Sequence, residues 1–296
     1  VKNQLSDLGE DRLVEHLVGL LEADGPRRED VRVGAGDDCA VIACGGRGED
    51  LLFKTDAVIE GVHYLPTDDP GAVGAKAINR AISDIAAMGG RPTHALLTLA
   101  CPNNVSVDSI TLFYRGCVAA ARRFDIAVVG GDTAGLPDRN AAAMFSVSLI
   151  GGVPAGKAVL RSGARCGDTL YVTGALGGSL SSGRHLSFTP RVEAGCWLRD
   201  QGVNAMMDLS DGLGIDLPRM AHASGCGFVI DPDDLPLHAG CTVADAMGDG
   251  EDYELLIASA VQLPARCPDG LPITRIGAMA PRGEGHACEG GWEHFK

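Results

Sequence analysis

No C-x-x-C pair occurs among the ten cysteines, so the spacings that hold zinc or an iron–sulfur cluster are missing. Nothing marks a disulfide framework either, and the scattered cysteines are expected to be reduced, mostly buried thiols of a cytoplasmic protein. Basic residues are scarce: 25 Lys and Arg against 39 Asp and Glu leave a formal charge of −14. Without a basic stripe to meet a phosphate backbone, a general nucleic-acid binder is excluded, and the excess acid points to cations as partners. Aromatic residues make up only 4% of the chain, which disfavours aromatic ligand cages. The longest apolar stretch, Ala141–Val153, contains Ser146 and Ser148 and is too short to cross a bilayer, so no membrane partner is expected. Val1–Leu21 is acidic and amphipathic, not a basic flank before an apolar run, and does not read as a signal peptide.

Several nucleotide and nucleophile motifs are absent as well. Residues 151–157, GGVPAGK, have P-loop spacing, but Ala158 stands where a P-loop needs a Ser or Thr hydroxyl for Mg2+. Pro154 sits inside the stretch and strand-like Val159-Leu160 follows, so a connector is the better account. No G-x-G-x-x-G follows a strand, no G-x-S-x-G elbow is present, and acidic Asp245–Asp252 lacks the EF-hand order.

What the chain does have is length for two domains or one large one, 45% hydrophobic residues and 41 glycines. Its centre is Asn79–Pro92, NRAISDIAAMGGRP. Ile78, Ile82, Ile85, Ala86 and Met88 recur at helical spacing, and Gly89-Gly90 and Pro92 stop the helix. Asp84 lies within this oily run, where a carboxylate is costly unless paired; the bland alternative places it in solvent on the polar face.

The same patterns outline the rest. A first helix is expected over Leu5–Leu21, N-capped by Ser6 and ended by Gly25-Pro26, and a long one over Ser106–Phe124. Strands are expected at Val31–Gly34, Ala40–Ala43, Leu51–Ala57, Thr93–Leu99, a buried Ile126–Val129, and Ala141–Ile150. The Gly/Pro-rich Gly151–Lys157 is read as a domain boundary, dividing the chain into 1–150 and 151–296. Beyond it come a strand at Thr169–Thr173, a glycine-rich turn at Gly174–Ser182 opening a helix, a helix over Pro190–Gln201 and a strand at Val203–Met207. A helix from Asp211 to Gly225 follows, then strands at Phe228–Ile230, Tyr253–Ala258 and Ile273–Ile276. The fold class is therefore mixed α/β or α+β.

Short acidic motifs set against Gly, Ser or Thr recur: Gly36-Asp37-Asp38, Thr55-Asp56, Ser83-Asp84, Gly131-Asp132-Thr133, Asp208 to Gly212, and Glu251-Asp252. Most fall at strand ends or helix starts, where backbone groups are free. Magnesium takes hard oxygens, commonly one or two carboxylates with water and substrate phosphate. Singly, each is ordinary turn or cap chemistry. Two carboxylates about 4 Å apart repel by roughly 4 kcal/mol at an effective dielectric near 20, so a convergent set would need cations.

Seven motifs occur in order: Gly36–Val41 (GDDCAV), Thr55–Tyr64 (TDAVIEGVHY), Ser83–Pro92 (SDIAAMGGRP), Gly130–Thr133 (GGDT), Leu160–Ala164 (LRSGA), Asp208–Leu213 (DLSDGL) and Gly250–Leu255 (GEDYEL). Together they resemble the thiamine-monophosphate kinase family, within the aminoimidazole ribonucleotide synthetase superfamily, over essentially the whole chain. The resemblance implies a two-domain α/β protein, an N-terminal half for ATP, Mg2+ and dimerisation, and N-terminal strands that join in a barrel across a homodimer. It implies transfer of a phosphoryl group from ATP to thiamine monophosphate, with several Mg2+ ions. By position, Asp38, Lys54, Thr55, Asp56, Asp84, Asp132, Asp208 and Asp211 match metal ligands, with Asp84, Asp132 and Asp211 central to catalysis. Gly131, Asp132, Arg161 and Ser210 match nucleotide contacts; His63, Glu251 and Trp292 match contacts to the thiamine phosphate.

Two positions depart from the family pattern. Lys54 stands where Ser is frequent, which is harmless only if that ligand acts through its carbonyl, and Trp292 replaces a Tyr. The implied nucleophile is a phosphate oxygen already anionic at neutral pH, so neither a catalytic His nor a nucleophilic Cys is expected. Alternatives within the superfamily are aminoimidazole ribonucleotide synthesis, selenophosphate synthesis and hydrogenase maturation; a different class is a silent nucleotide- or metal-binding regulator.

Overall fold

The computed structural model describes residues 10–24, 28–44 and 48–283. In chain order the elements are α1 (Glu10–Asp24), β1 (Val31–Val33), β2 (Ala40–Ala43), β3 (Glu49–Ile59), α2 (Pro70–Ala87), β4 (Arg91–Pro102), α3 (Val107–Arg123), β5 (Ala127–Leu136) and β6 (Met144–Pro154). There follow β7 (Thr169–Thr173), α4 (Val192–Gln201), β8 (Ala205–Asp208), α5 (Leu213–Ser224), β9 (Gly227–Ile230), α6 (Val243–Gly248), β10 (Leu255–Ser259) and β11 (Ile273–Ala280).

The strands form two sheets. The first runs β1-β2-β3-β6-β4-β5 and the second β8-β10-β7-β11-β9. All pairings are antiparallel except β4 with β5. Helix α2 starts on the Asp69 N-cap, whose side chain accepts from Ala72 N, with Pro70 in the first turn. It packs against α3 with the backbones nearly touching: a Cβ on Gly74 would meet the Phe113 carbonyl oxygen at 2.0 Å, and one on Gly116 that of Gly71 at 1.9 Å.

The second half closes over the other side of α2. A Cβ on Gly195 of α4 would meet the Ala86 carbonyl oxygen at 2.1 Å, and Ala87 packs with Val159, Leu198, Met206 and Leu255. Every residue from Ala81 to Ala87 is therefore buried. This explains why the stretch is oily all round, not one-faced. Ile78, Ile82 and Ile85 are fully buried, each contributing roughly 1.5–3 kcal/mol.

Three expectations need correction. The strand read as a buried Ile126–Val129 is β5, Ala127–Leu136, and most of it is exposed. It lies at the end of its sheet, hydrogen-bonded among the described strands to β4 alone; Val129 is exposed, whereas Val128 packs against the core. The turn at Gly174–Ser182 opens no α-helix. Gly174, Gly177, Gly178 and Gly183 all have positive φ, and Ser182 Oγ donates to the Gly178 carbonyl, leaving only a 3-10 turn at Arg184–Leu186. Helix α6 was not foreseen; its capping box of Thr242 and Asp245 was the available signal.

The Gly151–Val153 segment continues β6 rather than forming a loop. The expected N-cap Ser6, the end of the first-helix turn at Gly25-Pro26, and Trp292 lie outside the described residues. The described cysteines are all free, five of them buried. Among the described residues no helix is long and apolar enough to cross a membrane.

Candidate active site

Asp38 sits in the turn before β2, which Gly36 enters at a φ of 115°. Asp84 comes from the buried half of α2, and Asp208 ends β8. These three belong to different layers, yet each brings a carboxylate oxygen within 4.8 Å of the others. All three are at least nine-tenths buried. Asp84 is thus not on a solvated face, and the bland reading of it fails.

The chain itself balances part of this charge. Lys54 Nζ of β3 donates to Asp84 Oδ1 at 2.7 Å. Arg161 bonds to Asp38 Oδ1 and stands 3.7 Å from Asp37. Arg80 Nε donates to Asp56 Oδ2 at 3.1 Å. Ser83 Oγ donates to Asp208 Oδ2 at 2.5 Å. Asp38 Oδ2 remains buried without any hydrogen-bond partner, although a buried carboxylate oxygen normally has one.

Titration follows from this geometry. Burial, and then the charge of Asp38, pushes the Asp208 carboxyl up to about 7. Burial and Asp38 likewise push Asp37 up to about 6. Asp84 is raised well above the usual range by burial, against the opposing pull of Lys54. Asp56 is also penalised by burial, yet Arg80 and Lys54 together hold it below the usual range. Burial works against the Lys54 charge, but Asp84 and Asp56 outweigh it and raise the ammonium's pKa.

Beside the cluster is a pocket lined by Val62, His63, Arg80, Leu180, Ser210, Asp211, Asp249, Glu251 and Tyr253. His63 Nδ1 accepts from Ile59 N at 3.1 Å, which places the proton of the neutral ring on Nε2. Lys76, fully buried on α2, donates to Glu251 Oε2 at 2.7 Å and to the His63 carbonyl at 2.5 Å. Glu251 and Tyr253 both adopt positive φ, 55° and 51°, and Tyr253 stacks on Phe188 at 3.9 Å. Arg80 Nη1 is buried without a hydrogen-bond partner, 3.9 Å from Glu251. A buried donor of this kind beside a pocket suits an anion.

The structure separates other expected residues from this cluster. Lys54 and Asp56 point to the α2 face of the first sheet, whereas Thr55 between them points to the open face. There Thr55 Oγ1 lies 3.4 Å from the hydroxyls of Ser146 and Ser148. Asp132 shares that open side: it pairs with Thr98, which pairs with Ser146, and it is exposed. Its Oδ1 accepts only from the neighbouring Thr133 N at 2.8 Å. Gly131 is required by packing, since a Cβ there would meet the Leu97 carbonyl at 1.7 Å. Asp211 and Ser210 line the pocket, with Asp211 held by Arg219 and both backbone amides donating to Asp216 Oδ2 at 3.0 Å. The Lys54 side chain is a counter-charge to Asp84 with no lone pair to offer a cation, so of the two ligand modes weighed for this position its carbonyl is the one left.

Lys76 and Arg80 were missed in the sequence. Their signal was there: Lys76, Arg80 and Asp84 are spaced four apart, on one face of a helix. Tyr253 lay inside the Gly250–Leu255 motif without being singled out, and nothing marked Asp249; a loop delivers both.

Comparison with known proteins bears on this arrangement. Residues 36–153 match the family described as AIR synthase related protein, N-terminal domain, and residues 189–271 match its C-terminal domain. The thiamine-monophosphate kinase of Rhodopirellula baltica is 36% identical over 85% of this chain and 84% of that protein. That of Salmonella typhimurium is 35% identical over 87% of each. The structure of AaThiL complexed with AMPPCP and TMP superposes with a TM-score of 0.86 at 30% identity, covering 99% of both chains.

Proposed function

This chain belongs to the thiamine-monophosphate kinase family of AIR synthase related proteins, and we propose that its acidic cluster and adjoining pocket carry out that family's reaction. It is an ATP-dependent kinase that phosphorylates thiamine monophosphate to thiamine diphosphate. The observation that carries the site assignment is the convergence of Asp38, Asp84 and Asp208, with Asp38 Oδ2 unpartnered, beside a pocket into which Arg80 brings an unpartnered nitrogen.

The donor set fits Mg2+: hard carboxylate oxygens, several of them, with one oxygen lacking a partner. Asp38, Asp84 and Asp208 would hold the ions, with Asp56 next to them. Bound there, Mg2+ supplies neutralisation of two phosphate groups that must approach one another. The chain's own residues do the rest. Arg80 Nη1 receives the acceptor phosphate and His63, with its proton on Nε2, donates to it. Glu251, locked by Lys76, faces the cationic thiamine ring. Arg161 and Ser210 meet the nucleotide. The acceptor oxygen is already anionic, so transfer is direct and in line, without a general base.

The assembly is part of the proposal. Phe53, Leu96 and Val129 on β3, β4 and β5 are 47%, 45% and 61% exposed, a face that suits a homodimer in which the first sheets of two copies close into a barrel. Thr55 and Asp132 belong to that face, with Gly131 beside them in β5, and Asp132 would then meet ligand near the dimer seam. On this reading 1–150 serves ATP, ions and dimerisation, and 151–296 completes the pocket.

The test is a Mg2+-dependent assay of purified protein with ATP and thiamine monophosphate, reading thiamine diphosphate directly. Free thiamine and formylglycinamidine ribonucleotide run in parallel. Product from the monophosphate alone is expected; ATP binding without product would favour a silent regulator.

A further inference from the structure

Three side-chain cations stand against the carboxylates, and they do not stand alike. Arg161 holds Asp38 and Asp37, and Arg80 holds Asp56, each from the rim of the group. Lys54 reaches the carboxylate at its centre, with Nζ 2.7 Å from Asp84 Oδ1. Among the described residues no other side-chain cation pairs with Asp84. Asp38 supplies an independent observation. Its side chain is 2% exposed, one oxygen is taken by Arg161, and Oδ2 has no partner. One demand for a cation is thus open, while another is already met by the chain.

We propose that Lys54 is a resident cation that takes one divalent-ion position on Asp84 and leaves the Asp38 and Asp208 oxygens to an exchangeable ion. This rests on the reading of the carboxylates as a Mg2+ site. A magnesium ion would sit about 2.1 Å from an Asp84 oxygen, next to an ammonium on the same carboxylate, and the two like charges repel. The ammonium is tethered to β3, so it competes as an intramolecular ligand that dilution cannot remove. Lys54 accordingly lowers the number of divalent ions this site takes up, and holds Asp84 in place when none is bound.

The experiment is a Mn2+ titration followed by electron paramagnetic resonance, which counts bound ions without turnover. It uses the full chain with Mn2+ alone and with β,γ-methylene-ATP. Lys54→Ser and Lys54→Met, checked for folding by circular dichroism, are expected to bind one more Mn2+ per protomer than the parent protein. Lys54→Arg keeps the charge and the parent count. If Lys54→Ser does not fold, Lys54→Met carries the comparison. Equal, non-zero counts in all four proteins would overturn the proposal. No Mn2+ on any of them would be a different failure, that of the metal site itself, and the proposal would fall with it.

Discussion

Ser83 Oγ donates a 2.5 Å hydrogen bond to Asp208 Oδ2, tying α2 beneath the first sheet to the end of β8 in the second. Both residues are buried. The bond crosses between the halves at the carboxylate cluster, so the site and the junction are one structure. It also opposes the forces that raise Asp208, namely burial and the neighbouring Asp38 charge.

That balance sets a pH dependence. Asp208 has a carboxyl raised to about 7 in the fold, against about 3.9 in an unfolded chain. Between those values the folded state keeps a proton that the unfolded state has released. The metal-free protein gains stability from this group at low pH and loses it as pH rises through about 7. Mg2+ competes with that proton. Added Mg2+ should therefore raise the melting temperature more at about pH 8 than at about pH 5, as read by scanning fluorimetry with EDTA controls. Equal shifts at the two pH values would contradict the cluster's role.

Asp84 is the carboxylate that both Lys54 and the other acids face. Asp84→Asn keeps the shape and removes the charge. It should lower kcat at least about a hundredfold, in the range seen when one electrostatic partner of a transition state is removed. Circular dichroism should stay unchanged. Near-normal kinetics would remove Asp84 from the mechanism.

His63 lines the pocket, fixed through Nδ1 by the Ile59 amide. His63→Ala should raise the KM for thiamine monophosphate about tenfold, the worth of roughly one good hydrogen bond, with the KM for ATP little changed. A change confined to the ATP constant would reassign His63 to the nucleotide.

Lys76 has no exposed surface and pairs with Glu251. Lys76→Met leaves that carboxylate short of its partner and should cost about 3 kcal/mol of stability, measured from urea midpoints. The double variant Lys76→Met, Glu251→Gln should recover part of the loss, because the uncompensated charge is gone. An additive double variant would show that Lys76 acts through packing alone.

What the sequence determined by itself was local. The periodicity of Ile78, Ile82 and Ile85, the Ser106–Phe124 span read for α3 and the Gly225 stop of α5 depend on residues a turn away, and the elements they mark are present. The acidic motifs were legible as chemistry because Asp beside Gly, Ser or Thr is a residue-level signal. Even the opposite faces of Thr55 and Asp56 were implied by the two-residue period of a strand, though reading Thr-Asp as one ligand pair passed over it.

Tertiary structure decided the rest. Asp38, Asp84 and Asp208 share one small volume only because α2 is enclosed by the first sheet on one side and by α4 and β8 on the other. No local pattern encodes that enclosure; it comes from the close backbone contacts at Gly74, Gly116 and Gly195 and from apolar burial summed over both halves. The same packing turned Lys54 from a departure in a motif into a cation at the centre of the cluster, since the side chain's partner is set by which helix lies under β3. Chain neighbours decide which element forms, and long-range burial decides which charges meet.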